Sequence, residues 1–243
     1  MKKIFTISLV TLLIIGVLGF TGFYIWSQQT YEASEELHTY VNTDDIQHEE
    51  NWLVFEPAEQ TKSGIIIYPG AKVEPEAYSY YAQGLADSGY TVIIPKVTLN
   101  FAIFDINQAD LITEEFSEID NWYVSGHSLG GVAAASYAYD HPEKISGIIF
   151  LASYPSDSND FSETDLPILS LYAAHDGLTT SAKIDVTKHL LSPETTLYEV
   201  KGGNHAQFGM YGKQKGDGTA TISAKEQQDE IIQETAQWLH TAN

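Results

Sequence analysis

The 243-residue sequence contains no cysteine, and its twelve basic residues are all lysine. Without cysteine there is no disulfide framework and no thiolate nucleophile, so the fold is held by its core alone. Without arginine there is no bidentate clamp for phosphate or carboxylate, which argues against phosphoryl transfer and anionic substrates. Positive charge is scarce altogether: 33 acidic residues against 12 basic give a formal net charge of −21. A surface of that sign stays soluble and repels nucleic acid and anionic headgroups, so neither is an expected partner. Metal-ligand spacings such as His-Glu-x-x-His are missing, and no metal or cofactor is expected. There is no internal repeat or low-complexity block.

One stretch lacks charge entirely. Residues Ile4 to Trp26 include no charged residue and no histidine. As a helix the run would be about 34 Å long, enough to cross a bilayer core of roughly 30 Å. Lys2 and Lys3 precede it and Glu32, Glu35 and Glu36 follow. The positive-inside rule then leaves the N-terminus in the cytoplasm and the rest outside. The run is longer than the apolar region of a cleaved signal peptide, and Trp26-Ser27-Gln28-Gln29-Thr30-Tyr31 offers no small-x-small cleavage site. No cysteine near its end could carry a lipid. Residues 1–26 are therefore expected to be a retained signal-anchor, with cleavage and secretion as the alternative. Residues 27–48 read as a polar, acidic tether. Residues 49–243 are enough for one domain with a full core.

In that domain short β-rich runs alternate with helical ones. Strands are expected at Trp52–Phe55, Gly64–Tyr68, Thr91–Pro95, Trp122–Ser125, Gly147–Ala152, Ile168–Ala173 and Leu197–Val200. Helices are expected near Pro75–Asp87, Asn107–Phe116, Leu129–Tyr139, Ala182–Leu191 and Ala224–His240. Unbroken apolar strands such as Ile65-Ile66-Ile67 suit a parallel sheet covered on both faces. The fold class is α/β, a mostly parallel, doubly wound sheet with flanking helices. Sites in such sheets lie beyond the carboxyl ends of the strands.

Three of those strand ends carry chemistry. The run ending at Ser125 leads into Gly126-His127-Ser128-Leu129-Gly130-Gly131 and then a helix. This G-x-S-x-G pattern forces a serine onto a sharp strand-to-helix turn, above the positive end of the helix. Ser128 is the candidate nucleophile. A serine hydroxyl needs a base to take its proton, and the base needs an acid to fix its tautomer. In chain order the acid comes next. Asp176, in His175-Asp176-Gly177 after the sixth strand, is that candidate, although Asp-Gly is also an ordinary turn pairing. Asp157, Asp160 and Asp165 compete from a polar loop, and Asp185 lies in a helical run. His205 alone among the eight histidines follows the last strand, in Gly202-Gly203-Asn204-His205, and is the candidate base. Two backbone amides should hold an oxyanion. Leu129, directly after the nucleophile, supplies one. The other is assigned to Ala71 in Pro69-Gly70-Ala71-Lys72, with Lys72 as an alternative.

Taken together, Tyr68-Pro69-Gly70-Ala71, the elbow around Ser128, His175-Asp176-Gly177 and Gly202–Gly209 make the chain resemble the α/β-hydrolase superfamily. Within it the resemblance is to the small family related to dienelactone hydrolases. It implies the hydrolase sheet and a triad of Ser128, Asp176 and His205. Dienelactone hydrolases use a cysteine nucleophile, so serine here favours ordinary ester cleavage. The expected activity is a serine esterase acting on a small-molecule ester through an acyl-enzyme. An acyltransferase, thioesterase or amidase on a cell-envelope substrate would use the same residues, and a non-catalytic binding domain could keep the fold. The short gap from Ser153 to Leu166, where relatives carry a cap, leaves room for a loop but no lid. The oligomeric state is left open.

Overall fold

A computed structural model of the protein describes residues 2–42, 46–59 and 62–242. Positions 1 and 43–45 of the expected anchor and tether, and 60–61 and 243 of the expected domain, lie outside the described residues. The chain opens with helix α1 (Lys2–Ser27). Its Ser8–Ser27 portion, 20 residues, is long and apolar enough to cross a membrane or to serve as a signal sequence.

Eight strands follow: β1 (Gln47–His48), β2 (Trp52–Phe55), β3 (Ser63–Tyr68), β4 (Thr91–Pro95), β5 (Asn121–His127), β6 (Gly147–Leu151), β7 (Ile168–Ala173) and β8 (Thr195–Val200). They form one sheet in the order β1-β2-β4-β3-β5-β6-β7-β8. The β1–β2 and β2–β4 pairs are antiparallel, and every other pair is parallel. Strand β5 runs two residues beyond the apolar run, because Gly126 and His127 pair with Phe150 and Leu151 of β6.

The strands are apolar throughout because both faces are covered. Side chains alternate across the sheet. Ile65, Ile67, Val92 and Ile94 join the core beneath α2 (Ser79–Asp87) and α6 (Ala224–Ala242), while Ile66, Tyr68 and Ile93 join the core beneath α3 (Gln108–Glu115) and α4 (Leu129–Asp140). The expected Pro75–Asp87 helix begins as a 3-10 turn, Pro75–Tyr78, with Pro75 in the first turn, where no intrahelical N–H bond is required. The expected Ala182–Leu191 helix is α5 (Ser181–Thr187) plus a 3-10 turn, Lys188–Leu190. Residues 152–167 contain no helix, so no lid stands over the sheet there.

The segment expected as a tether does not hang free. Tyr31 N–H donates to Lys72 O at 2.6 Å, Glu74 N–H to Tyr31 O at 3.0 Å, and Ser34 N–H to Met210 O at 2.8 Å. The Tyr31 and Tyr211 rings lie 5.5 Å apart. Leu37, Val41 and Ile46 are buried in the core beside α2. These isolated apolar residues in an acidic run have just the spacing of their contacts and no helical or strand period, which is why composition alone gives a tether. Leu37→Ala should destabilise the protein by about 2–5 kcal/mol in urea unfolding. An unchanged midpoint would mean the segment is unattached in solution.

Candidate active site

Between the last residue of β5 and the first of α4 only Ser128 remains to make the turn. Its backbone sits at φ 52°, ψ −120°, a strained conformation for a residue with a side chain. Packing imposes the strain. A Cβ on Gly126 would stand 2.3 Å from the Gly130 backbone, and one on Gly130 would stand 2.2 Å from Tyr68 O. Ser128 N–H donates to Leu151 O at 3.0 Å and Ser153 Oγ donates to Ser128 O at 2.6 Å, so β6 grips the elbow from the far side. The partly exposed Ser128 opens onto a cleft of about 210 Å³ walled by Leu129, Val132, Tyr154, Leu178 and Thr179.

Asp176 and His205 leave the ends of β7 and β8 and meet in the interior. His205 Nδ1 and Asp176 Oδ2 are 2.8 Å apart, with both side chains buried. Asp176 Oδ1 accepts from Leu178 N–H at 2.7 Å and Thr179 N–H at 2.6 Å. A carboxylate so placed accepts a proton donor at Nδ1, which leaves the Nε2 lone pair of a neutral imidazole free. His205 Nε2 is buried without a hydrogen-bond partner. It makes no hydrogen bond to Ser128 Oγ. The His205 ring instead lies against that of His127, the residue before Ser128, with centroids 4.6 Å apart. Hydrogen bonds of this kind commonly tighten when substrate is bound. Of the competing acids, Asp160 accepts from Ser162 N–H and Asp185 pairs with Lys188 on the surface.

A second carboxylate braces this pair. Asp217 Oδ1 accepts from Gly177 N–H at 3.1 Å and from His205 N–H at 3.2 Å, and its Oδ2 accepts from Ala206 N–H at 2.9 Å. It thereby ties the turn carrying Asp176 to the loop carrying His205. Helix α6 holds that loop from below. Ser223 and Glu226 form a reciprocal capping box, and one turn on Gln227 grips Asn204 through both its N–H and its carbonyl.

The loop after β3 presents one free donor. Gly70 N–H is taken by Tyr78 Oη at 2.9 Å, and Lys72 N–H by Asn100 O at 2.7 Å. Ala71 N–H, between them, has no acceptor among the described residues. Leu129 N–H opens α4 and so has no intrahelical acceptor. Tyr78 Oη, accepting from Gly70, also shares a hydrogen bond with His127 Nδ1 at 2.8 Å. The residue before the elbow therefore holds the loop that carries Ala71. Burial, and then the electrostatic influence of neighbouring His205, keep His127 well below the usual histidine pKa. Burial pushes the Tyr78 phenol up, so it stays a hydrogen-bond donor. Among the described residues no group of three or more His, Asp or Glu side chains could hold a metal ion.

Residues 64–229, more than half of the chain, match a family model described as the alpha/beta hydrolase family. The chain belongs to the alpha/beta hydrolase family. Solved alpha/beta hydrolases share its fold at low sequence identity. MGS-MChE2, an enzyme from the metagenome of lagoon sediments of Mar Chica, Morocco, is 17% identical with a TM-score of 0.59 over 82% of this chain and 99% of its own. A monoacylglycerol lipase from Paleococcus ferrophilus is 16% identical with a TM-score of 0.58 over 78% and 100%. Est1E from Butyrivibrio proteoclasticus is 12% identical with a TM-score of 0.57 over 80% and 98%. No curated protein matches this alpha/beta hydrolase in sequence.

Sequence reasoning missed Asp217, Tyr78 and Ser153, since each acts across the fold on a residue distant in the chain. Asp217 sits in Gly216-Asp217-Gly218, a loop signal that says nothing of what its carboxylate reaches. Tyr78→Phe should leave the fold intact and lower kcat on a chromogenic ester about ten-fold with KM little changed, the loss expected from one positioning hydrogen bond. The buried, neutral His127 makes stability pH-dependent. Below pH ~6.5 the unfolded chain takes up a proton that the native protein does not. Stability should then fall as pH drops below that point, by up to roughly 1.4 kcal/mol per unit from this group. Urea midpoints near neutral and acid pH should show that slope shrinking in His127→Gln.

Proposed function

We propose that this alpha/beta hydrolase is a serine esterase, held at the membrane by α1, with its catalytic domain on the extracytoplasmic side. The observation that carries the reading is the buried Asp176–His205 hydrogen bond beside a strained, partly exposed Ser128. His205 Nε2 takes the Ser128 proton as Oγ attacks the ester carbonyl carbon. Ala71 and Leu129 N–H groups hold the oxyanion, and His205 returns the proton to the departing alcohol. Water, deprotonated by His205, then adds to the acyl-enzyme; Ser128 leaves with that proton, and the carboxylic acid is released. The kinship with dienelactone hydrolases drawn from the motifs belongs to this reading, with serine in place of their cysteine.

Retention of α1 is supported by the way its end is built into the domain. Ser27 is fully buried, and its carbonyl accepts from Asn100 Nδ2 at 3.0 Å. Neighbours described as a monoacylglycerol lipase and as lipolytic enzymes of lipase and esterase families support hydrolysis of an ester rather than transfer to another acceptor.

A fluorophosphonate probe should label the wild-type protein on the peptide containing Ser128. Ser128→Ala should lose both labelling and at least about 10⁴-fold in ester turnover while keeping its unfolding transition. Undiminished turnover in that variant would overturn the mechanism.

A further inference from the structure

One side of the last turns of α1 packs against the domain, although Tyr24, Ile25 and Trp26 stay exposed. The Phe23 ring lies 5.9 Å from Phe101 and 6.4 Å from Phe104, and the Trp26 ring lies 5.7 Å from Phe101. Both phenylalanines belong to the loop after β4, where two 3-10 turns span Thr98–Asn100 and Ala102–Phe104. Phe23 is four residues inside the end of the Ser8–Ser27 span, about 6 Å below its mouth. Whatever depth Phe23 occupies, Phe101 and Phe104 occupy too.

We propose that the loop Thr98–Phe104 is a membrane-contact surface seated in the outer-leaflet interface. The ester cleaved at Ser128 is then carried by a single-chain amphiphile drawn from that leaflet. This rests on the reading of α1 as a membrane anchor and of Ser128 as the nucleophile.

Three features of the loop fit that occupant. First, Ile103 and Phe104 are 38% and 52% exposed, apolar, and uncovered beside the span. Second, the loop's own turns take up four backbone N–H groups: Asn100 N–H donates to Val97 O, Phe101 N–H to Thr98 O, Phe104 N–H to Phe101 O and Asp105 N–H to Ala102 O. Backbone at the edge of a bilayer needs such internal partners. Third, Lys72 Nζ lies 4.2 Å over the Trp26 ring. A tryptophan capped by a lysine is the pairing that settles at headgroup level.

The same contacts fix where the site opens. Lys72 directly follows Ala71, whose free N–H is the assigned oxyanion donor, and Lys72 N–H is held by Asn100 of the membrane loop. The reacting carbonyl is therefore received one residue from headgroup level, with no lid between. A cleft of about 210 Å³ beside Ser128 is smaller than ordinary drug-sized pockets and suits one acyl chain rather than two.

The cysteine-free chain allows a direct test. Full-length protein carrying Ile103→Cys, labelled with a polarity-sensitive fluorophore, is reconstituted in phosphatidylcholine vesicles. Lipids with a nitroxide near the glycerol should quench this label and leave one at Val186→Cys on α5 unquenched. Equal quenching at both positions, or at neither, overturns the contact surface. In Phe104→Asp the ratio of kcat/KM on vesicle-borne monoacylglycerol to kcat/KM on a water-soluble ester should fall about ten-fold. An unchanged ratio overturns the leaflet route. The two underlying readings fail separately. Protein that does not float with vesicles refutes the anchor and this proposal together, whereas full activity in Ser128→Ala refutes the nucleophile but leaves the label result standing.

Discussion

A Cβ on Gly130 would stand 2.2 Å from the Tyr68 carbonyl oxygen, and one on Gly126 would stand 2.3 Å from the Gly130 backbone. The ends of β3 and β5 and the start of α4 therefore meet with no room for a side chain. Two consequences come from that one contact. The turn at Ser128 is forced to positive φ, which lifts its oxygen out of the sheet. The loop after β3 is also brought against the elbow, close enough for Tyr78 to bridge Gly70 and His127. Ser128 and the Ala71 and Leu129 N–H groups are thus set by backbone crossing, before the Asp176 and His205 side chains are placed.

Asp176 and His205 are organised differently. Their loops leave β7 and β8 and are long enough to wander, so carboxylates and amides rather than backbone sterics hold them. Asp217 ties Gly177 to His205 and Ala206, while Gln227 fixes Asn204 from the capped end of α6. In a chain without arginine, every one of these clamps is a side-chain oxygen or amide accepting or donating a backbone N–H or C=O. That solution suits a buried site, because each backbone polar group enclosed there needs a partner anyway.

Much of this was legible in the sequence, and the limits have physical causes. Apolar runs such as Ile65-Ile66-Ile67 marked buried strands because a parallel sheet hides both faces. Ser128, Asp176 and His205 could be nominated because the topology sends sites to strand ends. The Asp176–His205 hydrogen bond lay beyond reach, since it depends on how two loops fold toward each other. So did the docking of residues 27–41. Tyr31 is held by main-chain hydrogen bonds to Lys72 and Glu74, which any residue but proline could make, and main-chain partners leave no trace in composition. The split of Pro75–Asp87 and the extra length of β5 are boundary effects, the one a tightened first helical turn and the other set by pairing to β6.

The docked segment also sets a load path. Helix α1 and the domain are joined in series, first through Ser27 and Asn100, then through Tyr31 and its backbone hydrogen bonds to Lys72 and Glu74. A pull on α1 reaches those hydrogen bonds before it reaches any strand of the sheet. Lys72 is the covalent neighbour of Ala71, so such a pull is passed on to the loop that carries the free Ala71 N–H. The joint to α1 is thus mechanically coupled to the loop beside the Ser128 elbow.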